Sequence, residues 1–142
     1  MFLGRYQHSI DEKGRLIIPV RYRELLDEGA FVTQGFERNL MVLTPDAFER
    51  LYENVNKSSL TDPSARDLRR FILSNAEKVE VDKVGRILVP AYLRDFAQLE
   101  NEVVLVGVGT SFEIWSPVNW AQKNEKLQDL EANASRFSVF DL

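Results

Sequence analysis

The stretch from Asp11 to Pro19 reads DEKGRLIIP, and it returns from Asp82 to Pro90 as DKVGRILVP. The offset between the two copies is 71 residues, and aspartate, glycine, arginine and proline hold the same places in both. A second related pair follows, GFERNLMVLTP from residue 35 and GVGTSFEIWSP from residue 107, at an offset of 72. A repeat this long predicts two copies of one small folding unit, which would present any surface chemistry twice.

The length and composition of the chain fit a globular protein built from two such units. Its 142 residues are 44% hydrophobic and 28% charged. Units of about 60 to 70 residues bury little core alone, so we expect the halves to pack together or the chain to oligomerise. The predicted organisation is a first repeat over residues 1–55, a connecting loop and helix over 56–77, and a second repeat with a C-terminal helix over 78–142.

Several classes of protein are disfavoured by what the sequence lacks. It contains no cysteine, hence no disulfide and no thiolate zinc site, and we expect neither a metal nor a cofactor. The longest apolar run, near residues 103–108, is far too short to cross a bilayer, and the N-terminus does not read as a signal peptide. These features favour a cytoplasmic protein with no membrane partner.

Charge is distributed unevenly along the chain. The net charge of -4 and the isoelectric point near 5.1 argue weakly, by themselves, against a nucleic-acid partner. Residues 1–23, however, hold five basic and two acidic side chains, and residues 78–94 hold four and two. Residues 125–142 hold four acidic and two basic side chains. Basic charge therefore collects in the repeated segments, and a local basic face on an acidic protein can bind phosphates.

Each repeat opens with the signals of a β-hairpin. Residues 6–10 predict a strand, residues 11–14 a turn and residues 16–18 a returning strand whose continuous apolar character suggests burial on both faces. Pro19 ends that strand, because proline cannot donate to a ladder. The pattern then predicts a short helix over 20–26, strands over 31–34 and 40–43, and a helix over 45–55.

The second half follows the same order, and the predicted fold class is α+β. Strands are predicted over 79–81 and 87–89, joined by a turn over 82–85 and followed by a short helix over 90–97. Two more strands, over 103–107 and 112–115, precede a long last helix over 117–134. Between the halves, Asp62 caps a predicted helix that begins at Pro63 and packs one half on the other. The arginines predicted on the solvated side of this helix are Arg66, Arg69 and Arg70.

Most residues of the motif Asp-x-x-Gly-Arg-x-x-x-Pro have a purely structural interpretation. Asp11 and Asp82 can accept hydrogen bonds from the backbone of their own turns. Gly14 and Gly85 supply the backbone geometry that a tight turn requires. These roles shape and orient the turn, so the four residues can be explained without any binding or catalytic function.

Arg15 and Arg86 are different, because a turn does not need arginine beside its glycine. One interpretation is an ion pair with the aspartate across the hairpin, which stabilises little when it is exposed. The other is a guanidinium held on a stiff hairpin and aimed at a phosphate or a guanine edge, since its donor fork can bind either bidentately. Both hold together if the aspartate orients the arginine, so the residues alone leave the choice open.

Further basic residues lie in and near the turns. Lys13 and Lys83 stand at different offsets within their turns, and they suit non-specific phosphate contacts or solvated charges better than base reading. Arg5, Arg21 and Arg23 either extend the basic face or are simply solvated.

Three classes of function compete on these residues. A DNA-binding protein that acts as an oligomer would use the duplicated arginines. An oligomeric scaffold without DNA binding would use the repeat only for assembly, and the acidic isoelectric point supports it. An enzyme is disfavoured, because the sequence shows no Ser/His/Asp set, no metal cluster and no glycine-rich phosphate loop, so no small-molecule substrate is expected.

Longer segments carry a resemblance to a known family. The opening MFLGRYQHSIDEKGR resembles the start of the MraZ family of bacterial transcriptional regulators. The second motif DKVGRILVP and the run VGVGTSFEIWS from residue 106 resemble that family's second half. The resemblance spans nearly the whole chain, with both motifs in the right order.

The resemblance implies a fold and an assembly. MraZ proteins are similar to the AbrB/SpoVT group, whose β-hairpins interlock into small barrels. The chain is therefore expected to hold two tandem AbrB/SpoVT-like β-hairpin half-barrels that form a pseudo-symmetric small β-barrel with peripheral helices. Because family members assemble into rings, a homo-oligomer of that form is expected.

The resemblance also implies a function. The family regulates the division and cell-wall gene cluster, including its own promoter, by binding short direct repeats in double-stranded DNA. That implies a sequence-specific regulator, here a repressor, associated with the nucleoid. The family's Asp-x-x-x-Arg signature corresponds to Asp11 with Arg15 and to Asp82 with Arg86. Val84 stands where the first motif has Lys13, so the two turns are not electrically equal.

Overall fold

The computed structural model describes residues 1–142 and has the expected α+β architecture. The strands are β1 Arg5–Ser9, β2 Arg15–Ile17, β3 Ala30–Gln34, β4 Leu40–Leu43, β5 Glu77–Val79, β6 Arg86–Leu88, β7 Glu102–Gly107 and β8 Ser111–Trp115. The α-helices are α1 Val20–Arg23, α2 Pro45–Asn56, α3 Pro63–Leu73, α4 Ala91–Ala97, α5 Pro117–Leu127 and α6 Leu130–Arg136. Short 3₁₀ turns follow α1 at Glu24–Leu26 and α6 at Phe137–Val139.

The strands form a six-stranded antiparallel sheet and a separate two-stranded ribbon. The sheet order is β1-β7-β8-β4-β3-β5, and the ribbon is β2-β6. The first strand of each repeat pairs with the third strand of the other, β1 with β7 and β5 with β3. The fourth strands, β4 and β8, pair at the centre of the sheet. The two repeats are therefore related by an approximate two-fold axis.

The strands that flank each turn do not pair with one another as a hairpin, which corrects the sequence-based expectation. A single bridge joins Ile10, just after β1, to Leu16 of β2, whereas β2 pairs with β6 from the other repeat. The carbonyl oxygen of each turn glycine extends this ribbon, since Gly14 accepts from the Val89 N–H at 2.7 Å and Gly85 from the Ile18 N–H at 2.9 Å. Pairing across the repeats allows apolar residues of both halves to be buried in one place.

One hydrophobic core of 19 buried residues is shared by the two repeats. Leu16 and Ile87 lie opposite each other in the ribbon and point into it. Val42, Leu105 and Phe112 from the central strands of the sheet belong to the same core. Full burial of such a side chain contributes roughly 1.5–3 kcal/mol, so separating either ribbon strand from the opposite repeat would cost substantial free energy.

The outer side of the ribbon is exposed, so the expected burial of residues 16–18 on both faces is wrong. Leu16 and Ile18 are fully buried, but the Ile17 between them is 43% exposed. Its counterpart in the second repeat, Leu88, is 53% exposed. Successive side chains of a strand point to opposite faces, and this ribbon has a core on one face only.

Three helices begin as the sequence predicts. Thr44 accepts a hydrogen bond from the Ala47 N–H, Asp62 from the Ser64 N–H and Ser116 from the Asn119 N–H, each just before a proline. The single long helix expected over residues 117–134 is instead broken. Asp129 accepts from the Ala132 N–H at 3.1 Å and caps the new helix α6, because aspartate competes with the helical backbone through its side chain. No helix combines the length and the apolar character needed to span a bilayer.

Helix α3 contacts both repeats. Its Phe71 stacks on Phe36 of the first repeat at 5.6 Å between ring centroids and meets Phe96 of the second edge-on at 6.0 Å. The expectation that Arg69 lies on the solvated side is wrong. Its guanidinium donates to the carbonyl oxygens of residue 56, the last of α2, and of residue 58 just beyond it, where main-chain acceptors lack helical partners.

Candidate functional site

The first turn is organised by one carboxylate. Asp11 Oδ1 accepts the main-chain N–H groups of Lys13 at 3.0 Å and Arg15 at 2.8 Å. Asp11 Oδ2 accepts the Nε–H of Arg15 at 2.6 Å, and the Gly14 N–H closes the turn onto the Asp11 carbonyl oxygen at 2.9 Å. A single side chain thus fixes both the backbone of the turn and the direction of the guanidinium.

The second turn repeats this arrangement bond for bond. Asp82 Oδ1 accepts the N–H groups of Val84 at 3.0 Å and Arg86 at 2.9 Å. Asp82 Oδ2 accepts the Nε–H of Arg86 at 2.8 Å. The structural interpretation of each aspartate and the ion-pair interpretation of each arginine therefore apply together.

The terminal nitrogens of the two arginines remain free. The aspartate engages only Nε, and Nη1 and Nη2 of Arg15 and Arg86 make no hydrogen bond within the chain. The side chains are partly exposed, 40% for Arg15 and 32% for Arg86. Each guanidinium is thus oriented on one edge while its other edge can donate two parallel hydrogen bonds to an acceptor outside the chain.

Both aspartates are held in the ionised form. The Arg15 N–H is the main cause that lowers the pKa of Asp11, aided by the Arg15 guanidinium and the Lys13 N–H against partial desolvation. The Arg86 N–H likewise lowers the pKa of Asp82, with further lowering from its guanidinium and the Val84 N–H. Hydrogen bonds to a carboxylate favour its charged state, so both ion pairs persist at neutral pH.

Each turn is also clasped by an arginine of the opposite repeat. Arg94 of α4 lies over Gly14, where it donates from Nε to the Val89 carbonyl oxygen at 3.0 Å and from Nη1 to the Glu12 carbonyl oxygen at 3.4 Å. The absence of a side chain at Gly14 makes room for this contact, since a Cβ there would stand 2.8 Å from Arg94 Nε.

The second clasp is the counterpart of the first. Arg23 of α1 lies over Gly85 and donates from Nε to the Ile18 carbonyl oxygen at 2.7 Å. The Asp-Gly-Arg motif does not single out Arg23 or Arg94, and neither alternative considered for Arg23, an extended basic face or a solvated side chain, includes this contact. The signal was available, because the two arginines are separated by the same offset of 71 residues as the turns.

The two turn arginines share one exposed face of the ribbon. Arg15 lies opposite Leu88, and Ile17 lies opposite Arg86, so these four side chains point to the same side. We call Arg15, Ile17, Arg86 and Leu88 the ribbon face. The two arginines stand diagonally across it, a relation that separates such residues by about 7–8 Å and their Cβ atoms by somewhat less. Both guanidiniums therefore belong to one surface, which the sequence alone did not predict.

The turn lysines extend that surface at its two ends. The side chains of Lys13 and Lys83 are exposed and make no hydrogen bond or ion pair within the chain. They do not occupy equivalent places, since Lys13 corresponds to Val84 and Lys83 corresponds to Glu12. No group of three or more histidine or carboxylate side chains is arranged to hold a metal ion.

Comparison with known proteins gives a consistent result over the whole chain. A family model described as "MraZ protein, putative antitoxin-like" matches residues 1–71 and again residues 72–140. A protein of Thermomicrobium roseum named "Transcriptional regulator MraZ" is 47% identical over 127 residues, which cover 89% of each chain. Proteins of the same name from Heliobacterium modesticaldum and Desulfitobacterium hafniense are 46% identical over 143 residues and 45% identical over 139 residues. These matches cover 100% of both chains in the first case, and 98% of this chain and 97% of the relative in the second.

Proposed function

The chain belongs to the MraZ family, and we propose that it is a transcriptional regulator that binds double-stranded DNA sequence-specifically. One observation carries the proposal. Two guanidiniums, Arg15 and Arg86, stand on one exposed face, each oriented by a carboxylate and each with both Nη groups unused. The regulator name borne by the relatives supports the same conclusion.

The ribbon supplies the shape that such recognition needs. The major groove of B-DNA is about 12 Å wide and admits a two-stranded β-ribbon. Inserted there, Arg15 and Arg86 can each donate two hydrogen bonds to the O6 and N7 atoms of a guanine. Asp11 and Asp82 keep the guanidiniums aimed, so little side-chain entropy is lost on binding. No other exposed part of the chain combines a ribbon with duplicated, pre-oriented donors.

The remaining turn residues have supporting roles in this proposal. Lys13 and Lys83 contact phosphates, which position a protein on the duplex without reading its sequence. Gly14 and Gly85 allow the turns to form and leave room for the clasping arginines. The basic charge that collects in the repeated segments explains how a chain of net charge -4 can still bind a polyanion.

The assembly we propose is a homo-oligomeric ring. One ribbon touches few bases, so a single chain binds weakly. Several subunits that engage evenly spaced direct repeats gain affinity through effective concentration, provided that their spacing matches the DNA. Exposed apolar residues of the C-terminal segment, among them Phe137, Val139 and Phe140, support contacts between subunits.

The finer parts of the proposal follow the family. The chain represses the division and cell-wall gene cluster, including its own promoter, and works in the cytoplasm at the nucleoid. The ribbon formed between the repeats supports an AbrB/SpoVT-like pair of half-barrels, with the repeats over 1–55 and 78–142 joined by 56–77. Catalysis forms no part of this function, and the residues assigned to the site serve binding alone.

Fluorescence anisotropy tests whether the chain prefers its promoter. We expect tight binding to a duplex taken from just upstream of the protein's own gene and much weaker binding to a scrambled duplex of the same composition. The affinity should fall steeply with salt, because phosphate contacts release counterions. Equally weak binding to both duplexes would reject the regulator and leave the oligomeric scaffold without DNA binding.

A further inference from the structure

The approximate two-fold axis of the ribbon bears on the direction in which the chain lies along a bound DNA duplex. Arg15 and Arg86 are exchanged by that axis, as are Ile17 and Leu88, and both pairs carry the same kind of side chain. The sugar-phosphate backbone of a duplex offers the same contacts when a protein is turned end to end. A ribbon with fully equivalent halves would therefore bind any asymmetric site in two opposite orientations.

The turn tips are where the equivalence fails. The first tip is Glu12-Lys13, and the second is Lys83-Val84. These four side chains are all exposed, and they lie at opposite ends of the ribbon because its strands are antiparallel. The first tip thus carries an anion followed by a cation, and the second a cation followed by an aliphatic group.

Val84 is an unusual choice for a turn tip. Its side chain is 61% exposed, and its N–H donates to Asp82 Oδ1 at 3.0 Å. The equivalent position in the first turn has the same N–H contact to its aspartate but carries lysine. The backbone is thus the same at both tips, and only the chemistry offered to a partner differs.

We propose that the tip residues Lys13 and Val84 set the orientation of each chain on its DNA. The proposal rests on the DNA-binding function proposed above. Lys13 contacts a phosphate, whereas Val84 packs against the C5-methyl group of a thymine, the apolar group that the major groove offers. Only the half of the ribbon that carries Val84 then reads a thymine at its tip, so an asymmetric site is bound in one direction.

Directed DNA cleavage measures this orientation. Because the chain has no cysteine, Asn101→Cys provides one attachment point for an iron chelate. Asn101 is exposed, and its carbonyl oxygen accepts the Ile10 N–H at 2.8 Å, which places it beside the first turn and off the ribbon face. The labelled chain should cleave one flank of each site on the promoter duplex, with a preference on the order of tenfold.

Exchanging the tips should reverse this preference. The exchange consists of Glu12→Lys, Lys13→Val, Lys83→Glu and Val84→Lys, and it leaves the composition and net charge unchanged. We expect this variant to cleave the opposite flank. A second variant, Glu12→Lys with Lys13→Val, gives both turns the same tip and should cleave both flanks about equally.

Several results would overturn the proposal. Cleavage by the exchanged variant on the same flank as the parent would show that the tips do not orient the chain. Equal cleavage of both flanks by the parent would do so too. A changed assembly mass in light scattering, with cleavage still on the parental flank, would assign the tips to a contact between copies. Failure of the proposed function is distinct, because the unlabelled parent would then not prefer its promoter at all.

Discussion

Replacing both Arg15 and Arg86 with alanine should abolish sequence-specific DNA binding while the fold and the assembly remain intact. A bidentate arginine–guanine contact provides about 1–3 kcal/mol of discrimination, so the loss of two in each chain corresponds to at least about 30-fold in affinity. Several subunits acting together would enlarge that factor. Stability should change little, because both ion pairs are partly exposed.

The matched control removes the same charge elsewhere. Arg50→Ala with Arg70→Ala deletes two exposed arginines, of which Arg70 also forms an ion pair with an aspartate, Asp67, at 2.9 Å. This control should bind the promoter duplex as the parent does in anisotropy titrations at matched salt. If the Arg15→Ala/Arg86→Ala variant bound the promoter duplex as tightly as the parent does, the assignment of the site would be refuted. An equal loss of affinity in the control variant would show that the effect comes from net charge alone.

The substitution Gly14→Ala should destabilise the protein more than any other single change in the turns. Gly14 has a φ of +88°, which an L-residue adopts at a cost of roughly 1–2 kcal/mol. Its Cβ would also press on the Val89 carbonyl oxygen and on Arg94, and such overpacking typically costs a further 1–3 kcal/mol, roughly. We expect the free energy of unfolding, measured with urea, to fall by about 2–5 kcal/mol.

Two other glycines separate the backbone cost of a positive φ from the cost of overpacking. Gly109 has a φ of +95°, and no atom lies within 4 Å of the place that a Cβ would take, so Gly109→Ala isolates the backbone cost. Gly85→Ala should fall between the two, because the atoms nearest its Cβ belong to the flexible Arg23 side chain and not to the backbone. If Gly14→Ala cost no more than Gly109→Ala, the close packing at the turn would carry no energetic weight.

The local structure was largely accessible from the sequence. Turn aspartates, turn glycines and the caps Thr44, Asp62 and Ser116 act within a few residues of their own position, so short patterns predict them. The break of the last helix at Asp129 was missed, although aspartate is a good cap. Nothing in the pattern around it distinguishes a new cap from a solvated helical residue.

The pairing of strands was not accessible in the same way. The turn between β1 and β2 predicts a hairpin, whereas the stable arrangement pairs β2 with β6 of the distant repeat. Apolar runs as short as residues 16–18 cannot reveal which of their side chains faces the core, so the exposure of Ile17 was missed. For the candidate site, the motif alone pointed to Arg15 and Arg86 but not to their common face.

Photo-crosslinking from the ribbon face tests the central claim most directly. A benzophenone amino acid at Ile17, 43% exposed between the two arginines, is compared with the same group at Tyr52, which is 41% exposed on α2. Both variants are irradiated on the promoter duplex under conditions where anisotropy confirms binding. We predict a DNA crosslink from position 17 and none from position 52. A crosslink from position 52 alone, or crosslinks from position 17 only to a second copy of the chain, would contradict the account.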